Sequence, residues 1–231
     1  MPAAPGSPLS LLWPYALPYL LYVAIGSFVD LRTHAELVYA ARAVVVGGAL
    51  VFFRRRYLPL RGPRSAAASA VVGAGVGLLA TPAWVLVCAA VAQKPDLAWG
   101  DSAWAARALG STVLPPLVEE LLFRGWALGT GVLLAFARAA GSADAFSEAL
   151  ERRSLSEVPS GAWAPLALCA SSALFAAGHE PGQWPAAFGY GLLMCGLWIA
   201  RGDLVSCISA HAVTNAALAL YVRASGHWGA W

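Results

Sequence analysis

Glu119, Glu120 and Arg124 stand within one apolar stretch, His179 closes a second, and His211 and Asn215 lie four apart in a third. Ionisable groups at bilayer depth are costly unless they pair or face a watery cavity, so each set is a candidate for chemistry. On a helix, Glu120 and Arg124 share a face and can pair, whereas Glu119 is rotated by about 100° from Glu120. Such pairing engages one carboxylate and leaves the other available as a general base. Two carboxylates in unlike surroundings commonly divide roles this way. For these three residues alone, the competing explanation is a structural ion cluster that ties helices together.

His179 follows Phe175 by four positions, and the small residues Ala176, Ala177 and Gly178 between them admit a neighbouring helix or a substrate backbone. A lone histidine at a helix end also serves as a cap or interfacial residue. His211 and Asn215 share one helix face, and both can donate to a single oxygen, as an oxyanion hole requires. Their structural counterpart is an interhelical polar clamp. Considered jointly, the stretches supply a base, a water-positioning imidazole and oxyanion donors, a combination that packing alone does not require. His34 and His227 fall outside the apolar stretches and need no catalytic role.

Rival chemistries fit less well. A helical zinc protease needs H-E-x-x-H, but His179-Glu180 is followed by Pro181, and Gln183 occupies the second histidine position. A three-ligand zinc site built across helices from Glu119, His179 and His211 is the remaining metal alternative; the reading preferred from the sequence needs no cofactor. No Gly-rich serine loop of the G-x-S-G type is present, and the aspartates sit in loops rather than within spans. The alternative from outside enzymology is a non-catalytic membrane protein that binds a peptide or transports an ion through the same polar cavity.

The elements that must position these residues are membrane helices. The 231 residues are 59% hydrophobic and only 12% charged, far from the roughly one-quarter charged share of soluble domains. Apolar stretches over about 9–28, 37–53, 66–92, 105–137, 162–179, 185–200 and 204–222 predict an all-α transmembrane bundle of seven spans, within a range of six to eight. The 105–137 stretch is long enough to split or to begin as an interfacial helix near residues 99–107. The chain is expected to be one integral membrane domain over 1–231, with its motif-bearing core at about 105–222. The first stretch carries no basic flank and contains Pro14 and Pro18, which suits a retained span rather than a cleaved signal peptide.

Arg54 to Arg56, Arg61 and Arg64 form one basic loop, Arg138, Arg152 and Arg153 a second, and Arg201 a third. Seven spans put all three on one side, and the positive-inside rule makes that side, with the N-terminus, cytoplasmic. The arginines thus read as topology signals, with no nucleic-acid partner implied. The opposite loops, with Asp30, Arg32, His34 and Glu36 and then Lys94, Asp96 and Asp101, hold fewer basic groups. Residues 142–160 form the one long polar connection, with helical spacing over 145–150. Gly73-Ala74-Gly75-Val76-Gly77 supplies small residues four apart for close helix approach. Cys88, Cys169, Cys195 and Cys207 lack paired spacing and read as small buried side chains.

Glu-Glu-x-x-x-Arg, Phe-x-x-x-His and His-x-x-x-Asn, in this order over 119–215, resemble the CAAX prenyl protease and bacteriocin-processing family of intramembrane proteases. The resemblance implies an intramembrane endopeptidase of glutamic type acting on a membrane-anchored protein or peptide. Glu119 would activate water, His179 would hold it, His211 and Asn215 would stabilise the oxyanion, and Glu120 with Arg124 would support the site. Tyr39-Ala40-Ala41-Arg42 and Phe53-Arg54-Arg55-Arg56-Tyr57 resemble a branch associated with bacterial exosortase-type protein sorting. That branch implies a bacterial inner-membrane location and a C-terminal sorting tail as substrate rather than a prenylated CAAX tail. Glu119 is expected about two turns from the outer end of its helix, and His211 nearer the inner end of its own.

Overall fold

The computed structural model describes residues 11–91 and 98–231, and among them every regular element is helical. Lys94, Asp96 and the outermost residues of the first and third stretches lie outside the described residues. Each of the seven apolar stretches holds one principal helix: α1 (Trp13–Ser27), α2 (Leu31–Phe53), α3 (Ala66–Val91), α4 (Asp101–Ala139), α5 (Pro165–Ala177), α6 (Trp184–Arg201) and α7 (Leu204–Ser225). Of these, α2, α3, α4 and α7 are long and apolar enough to cross a membrane by length and composition. At 13 residues, α5 is about 20 Å long, short of a hydrocarbon core of about 30 Å.

Two boundaries differ from expectation. Helix α2 begins at Leu31 rather than near 37, because Asp30 caps it by accepting the Arg32 N–H, and the early turn bends at His34 (φ −126°, ψ 27°). Helix α4 neither splits nor starts at 105. It runs unbroken for 39 residues, about 58 Å at α-helical rise, and so extends well beyond the hydrocarbon thickness.

The last long helix, α7, lies at the centre of the bundle, with α3, α4 and α6 packed around it. Gly73 and Gly77 make the α3 contact possible, because a Cβ at either position would overlap the Ser206 or Ala210 carbonyl of α7. Gly75, on the opposite face, would meet nothing. This close seam fixes the height of α7, and with it His211, against the other helices. A tight turn joins α6 to α7: Gly202 adopts φ 68°, which favours glycine, and the Asp203 side chain then accepts the Ser206 N–H at 2.7 Å.

The basic loops gather at one end, as expected. The Leu60 carbonyl accepts from the Leu204 and Val205 N–H groups, Arg201 donates to Ser69, and the Trp198 indole donates to the Ala162 carbonyl. The long polar connection carries helical turns over 145–152 and a 3₁₀ turn at Leu155–Glu157, closed by a Ser154–Glu157 capping box.

Candidate active site

Pro115 and Pro116 set up the local structure of α4 before its charged residues arrive. Neither has an N–H, so the carbonyls one turn earlier lose their helical partners. Asn215 of α7 satisfies one of them, donating its amide to the Ser111 carbonyl at 2.8 Å. Beyond the prolines, α4 widens into a π-helical segment, Glu120–Leu128, a form that is rare and frequent at functional sites. The widened segment is almost wholly enclosed, with Glu120 and Arg124 buried.

Glu120 and Arg124 pair as expected, with Nη1 donating to Oε1 at 3.3 Å and Nε 3.3 Å from Oε2. The second contact is within ion-pair range but poorly aligned as a hydrogen bond, since both Nε and Oε2 are left without hydrogen-bond partners. Arg124 also donates through Nη2 to the Gly191 carbonyl at 3.2 Å and lies 4.6 Å from the Phe175 ring centre. Its guanidinium therefore links α4 to α5 and α6.

His211 joins the two carboxylates. Its Nδ1 lies 2.9 Å from Glu120 Oε1, and its Nε2 lies 4.0 Å from Glu119 Oε2. Glu119 is only slightly exposed, and its Oε2 is buried without a hydrogen-bond partner among the described residues. The expected mismatch in height between Glu119 and His211 does not arise. Glu119 lies 18 residues into α4, about 27 Å from its start rather than two turns, and the α3–α7 seam brings His211 to the same level.

His179, at the end of α5, donates from Nδ1 to the Phe175 carbonyl at 2.9 Å. A carbonyl carries no proton, so Nδ1 holds the hydrogen and Nε2 of the neutral ring is an acceptor. The small residues before it do admit a neighbour: a Cβ at Gly178 would overlap the Tyr19 hydroxyl of α1.

His179, His211, Asn215 and Ser111 line one cavity of about 180 Å³, together with Trp84, Phe175, Tyr190 and Thr214. Glu119 stands behind His211 rather than among the lining residues. A larger cavity of about 1110 Å³ shares Tyr22, Tyr39, Arg107, Gln183 and Trp231 with the first and opens among Leu31, Val91, Trp99 and Glu180. These residues lie at the end of the bundle opposite the basic loops. At this mouth the Thr33 hydroxyl, and then the Arg32 N–H, hold the Asp30 carboxyl below its ordinary value.

Among the described residues, no three His, Cys, Asp or Glu side chains converge closely enough to hold one metal ion, so the Glu119, His179 and His211 donor set is not gathered as a ligand triad. Cys88, Cys195 and Cys207 are buried as expected, but Cys169 is exposed on the outer face of α5. Sequence reasoning missed Ser111, whose freed carbonyl was signalled by Pro115, and Tyr190, whose hydroxyl donates to Thr214 at 3.0 Å while its ring meets His211 edge-on. A buried tyrosine hydroxyl requires such a partner, but nothing in an apolar stretch says which.

Residues 101–217 match the Type II CAAX prenyl endopeptidase Rce1-like family. Comparison with curated proteins and with solved structures gives no match. The matched segment covers half of the chain and contains α4, α5, α6 and α7 as far as residue 217, with all three polar motifs. With its helical membrane architecture and this match, the chain belongs to the Rce1-like CAAX endopeptidase family and is an integral membrane endopeptidase.

Proposed function

We propose that the protein hydrolyses a peptide bond near the C-terminus of a membrane-anchored protein, using a water activated by Glu119. The observation that carries this reading is the buried, unpartnered Oε2 of Glu119, 4.0 Å from His211 Nε2. Oε2 has no surface open to water in this packing, so a water held about 2.8 Å from each atom enters as the two side chains part. Glu120, held by Arg124, accepts the His211 Nδ1–H and so aims Nε2 at that position. The acceptor Nε2 of His179 provides a second hold on water at the cavity.

Attack on the substrate carbonyl forms a C–O bond as Glu119 takes the water proton, and the electron pair of the carbonyl moves to its oxygen. Asn215 spends one amide hydrogen on Ser111 and keeps the other for the cavity it lines, so it can donate to that oxyanion. Return of the proton from Glu119 to the leaving nitrogen completes cleavage of the C–N bond. The step balances without a metal.

The mouth opens at the end opposite the basic loops, which the positive-inside rule places outward, with the N-terminus cytoplasmic. An outward site in a bacterial inner membrane suits the sorting tail of a secreted protein as substrate.

Purified protein, pretreated with chelator, is to be incubated with candidate membrane-anchored substrates. Cleavage that survives chelation and disappears in Glu119→Gln supports the reading. Loss of activity on chelation, restored by zinc, overturns the metal-free step, and normal cleavage by Glu119→Gln overturns the assignment of the base.

A further inference from the structure

Arg42 of α2 takes no part in the hydrolytic arrangement, yet it is a cation only 5% exposed that lines the large outer cavity. Its guanidinium lies between two tyrosines, 3.9 Å from the Tyr22 ring centre and 5.1 Å from that of Tyr39. Nε donates to the Tyr22 carbonyl at 2.9 Å. Neither Nη nitrogen makes a hydrogen bond or ion pair among the described residues. Gly26 of α1 is shaped to this group, since a Cβ there would overlap Nη2. The Nη donors are open to the cavity, where an anion can accept from both.

The surroundings favour an anion from outside the chain. Asp30, which lines the same cavity, is engaged in capping α2, accepting from Thr33 at 2.5 Å and from the Arg32 N–H at 3.1 Å. Among the described residues, Arg32, Arg107, Asp30 and Glu180 line this cavity as well. Tyr22 and Tyr39, which hold Arg42, line the inner cavity as well. At about 1110 Å³, the outer cavity exceeds the roughly 300–1,000 Å³ of small-molecule pockets and has room for several residues of extended chain.

We infer that Arg42, clasped by Tyr22 and Tyr39, is a substrate-binding residue that takes a peptide carboxylate while the adjoining chain runs inward to His179 and His211. The inference rests on reading the inner cavity as the hydrolytic site. Guanidinium suits this task through its planar, paired N–H donors. The carboxylate is either the C-terminus of the bound peptide or an acidic side chain within it.

Binding is to be measured on Glu119→Gln protein in nanodiscs, so that failure of the hydrolytic reading leaves this test intact. The probe is a fluorescein-labelled Ala-Leu-Val-Ala peptide as its free acid, as its C-terminal amide, and as an amide with one internal glutamate. At least one carboxylate form should bind about ten- to a hundredfold more tightly than the plain amide, the range for hydrogen bonds to charged groups. Preference for the free acid alone identifies the C-terminus, and preference for the glutamate form identifies a side chain. Adding Arg42→Gln should bring the favoured form down to the amide's affinity. Gly26→Ala, which keeps Arg42 but crowds Nη2, should weaken the same preference if Arg42→Gln does not fold. Equal binding of all three peptides, or a preference untouched by both substitutions, overturns the inference.

Discussion

Two buried carboxylate centres, one at the basic-loop end of the bundle and one deeper within it, are finished to different degrees. At the basic-loop end, both oxygens of Asp203 are engaged: Oδ1 accepts the Ser206 N–H at 2.7 Å, and Oδ2 accepts the Ser69 hydroxyl at 2.5 Å. Arg201 donates in turn to that hydroxyl at 2.9 Å. Around α4, Glu119 and Glu120 each keep one buried oxygen without a hydrogen bond. An unsatisfied buried acceptor costs about 1–3 kcal/mol, and the Asp203 carboxylate leaves none, although Arg201 Nε beside it has no hydrogen-bond partner. One centre joins α3 to α7, and the other retains acceptors beside a cavity. The contrast also divides the glutamates, because Glu120 is shared between Arg124 and His211 while Glu119 has no hydrogen-bonded partner at Oε2.

The contrast is sharpest in the base itself. Glu119→Gln should lower turnover by about 10²- to 10⁴-fold with an unchanged unfolding midpoint, measured on purified protein in detergent. Glu120→Ala should act on the fold instead. It leaves Arg124 buried without its counter-charge, and a loss of about 3–5 kcal/mol in unfolding free energy is expected, with poor recovery from the membrane. Asn215→Ala should reduce turnover by an amount worth about 3 kcal/mol through the lost oxyanion donor, with a smaller stability loss from the orphaned Ser111 carbonyl. Asp203→Asn should have the least effect, about 1–2 kcal/mol of stability, and leave turnover per folded molecule unaltered. If Asp203→Asn slowed cleavage as much as Glu119→Gln, the two centres would not differ in kind.

The Glu120–Arg124 pair could be read from a spacing of four because both residues belong to one helix, and local geometry survives even the π-helical widening. The α3 approach was similarly legible in small residues four apart, Gly73 and Gly77, but that they meet α7 was not. The link from His211 to both glutamates was not legible. It joins residues 91 positions apart, and its height depends on the α3–α7 seam and on how far α4 extends beyond the hydrocarbon core. The Asn215 partner was half legible: Pro115 announced a freed carbonyl, while only the packing of α4 on α7 showed which donor reaches it.

By itself, then, the sequence determined the helical membrane class, the seven principal apolar stretches, the internal ion pair and the membership of three polar motifs in one family pattern. These follow from hydropathy and from contacts within a few residues, which a helix repeats wherever it forms. Tertiary structure alone decided that Glu119 stands behind His211, that His211 bonds to Glu120, and that Arg42 faces a cavity between two tyrosines. Such relations depend on the rotation and height of one helix against another, and those are set by packing across the whole bundle rather than by spacing along any one segment.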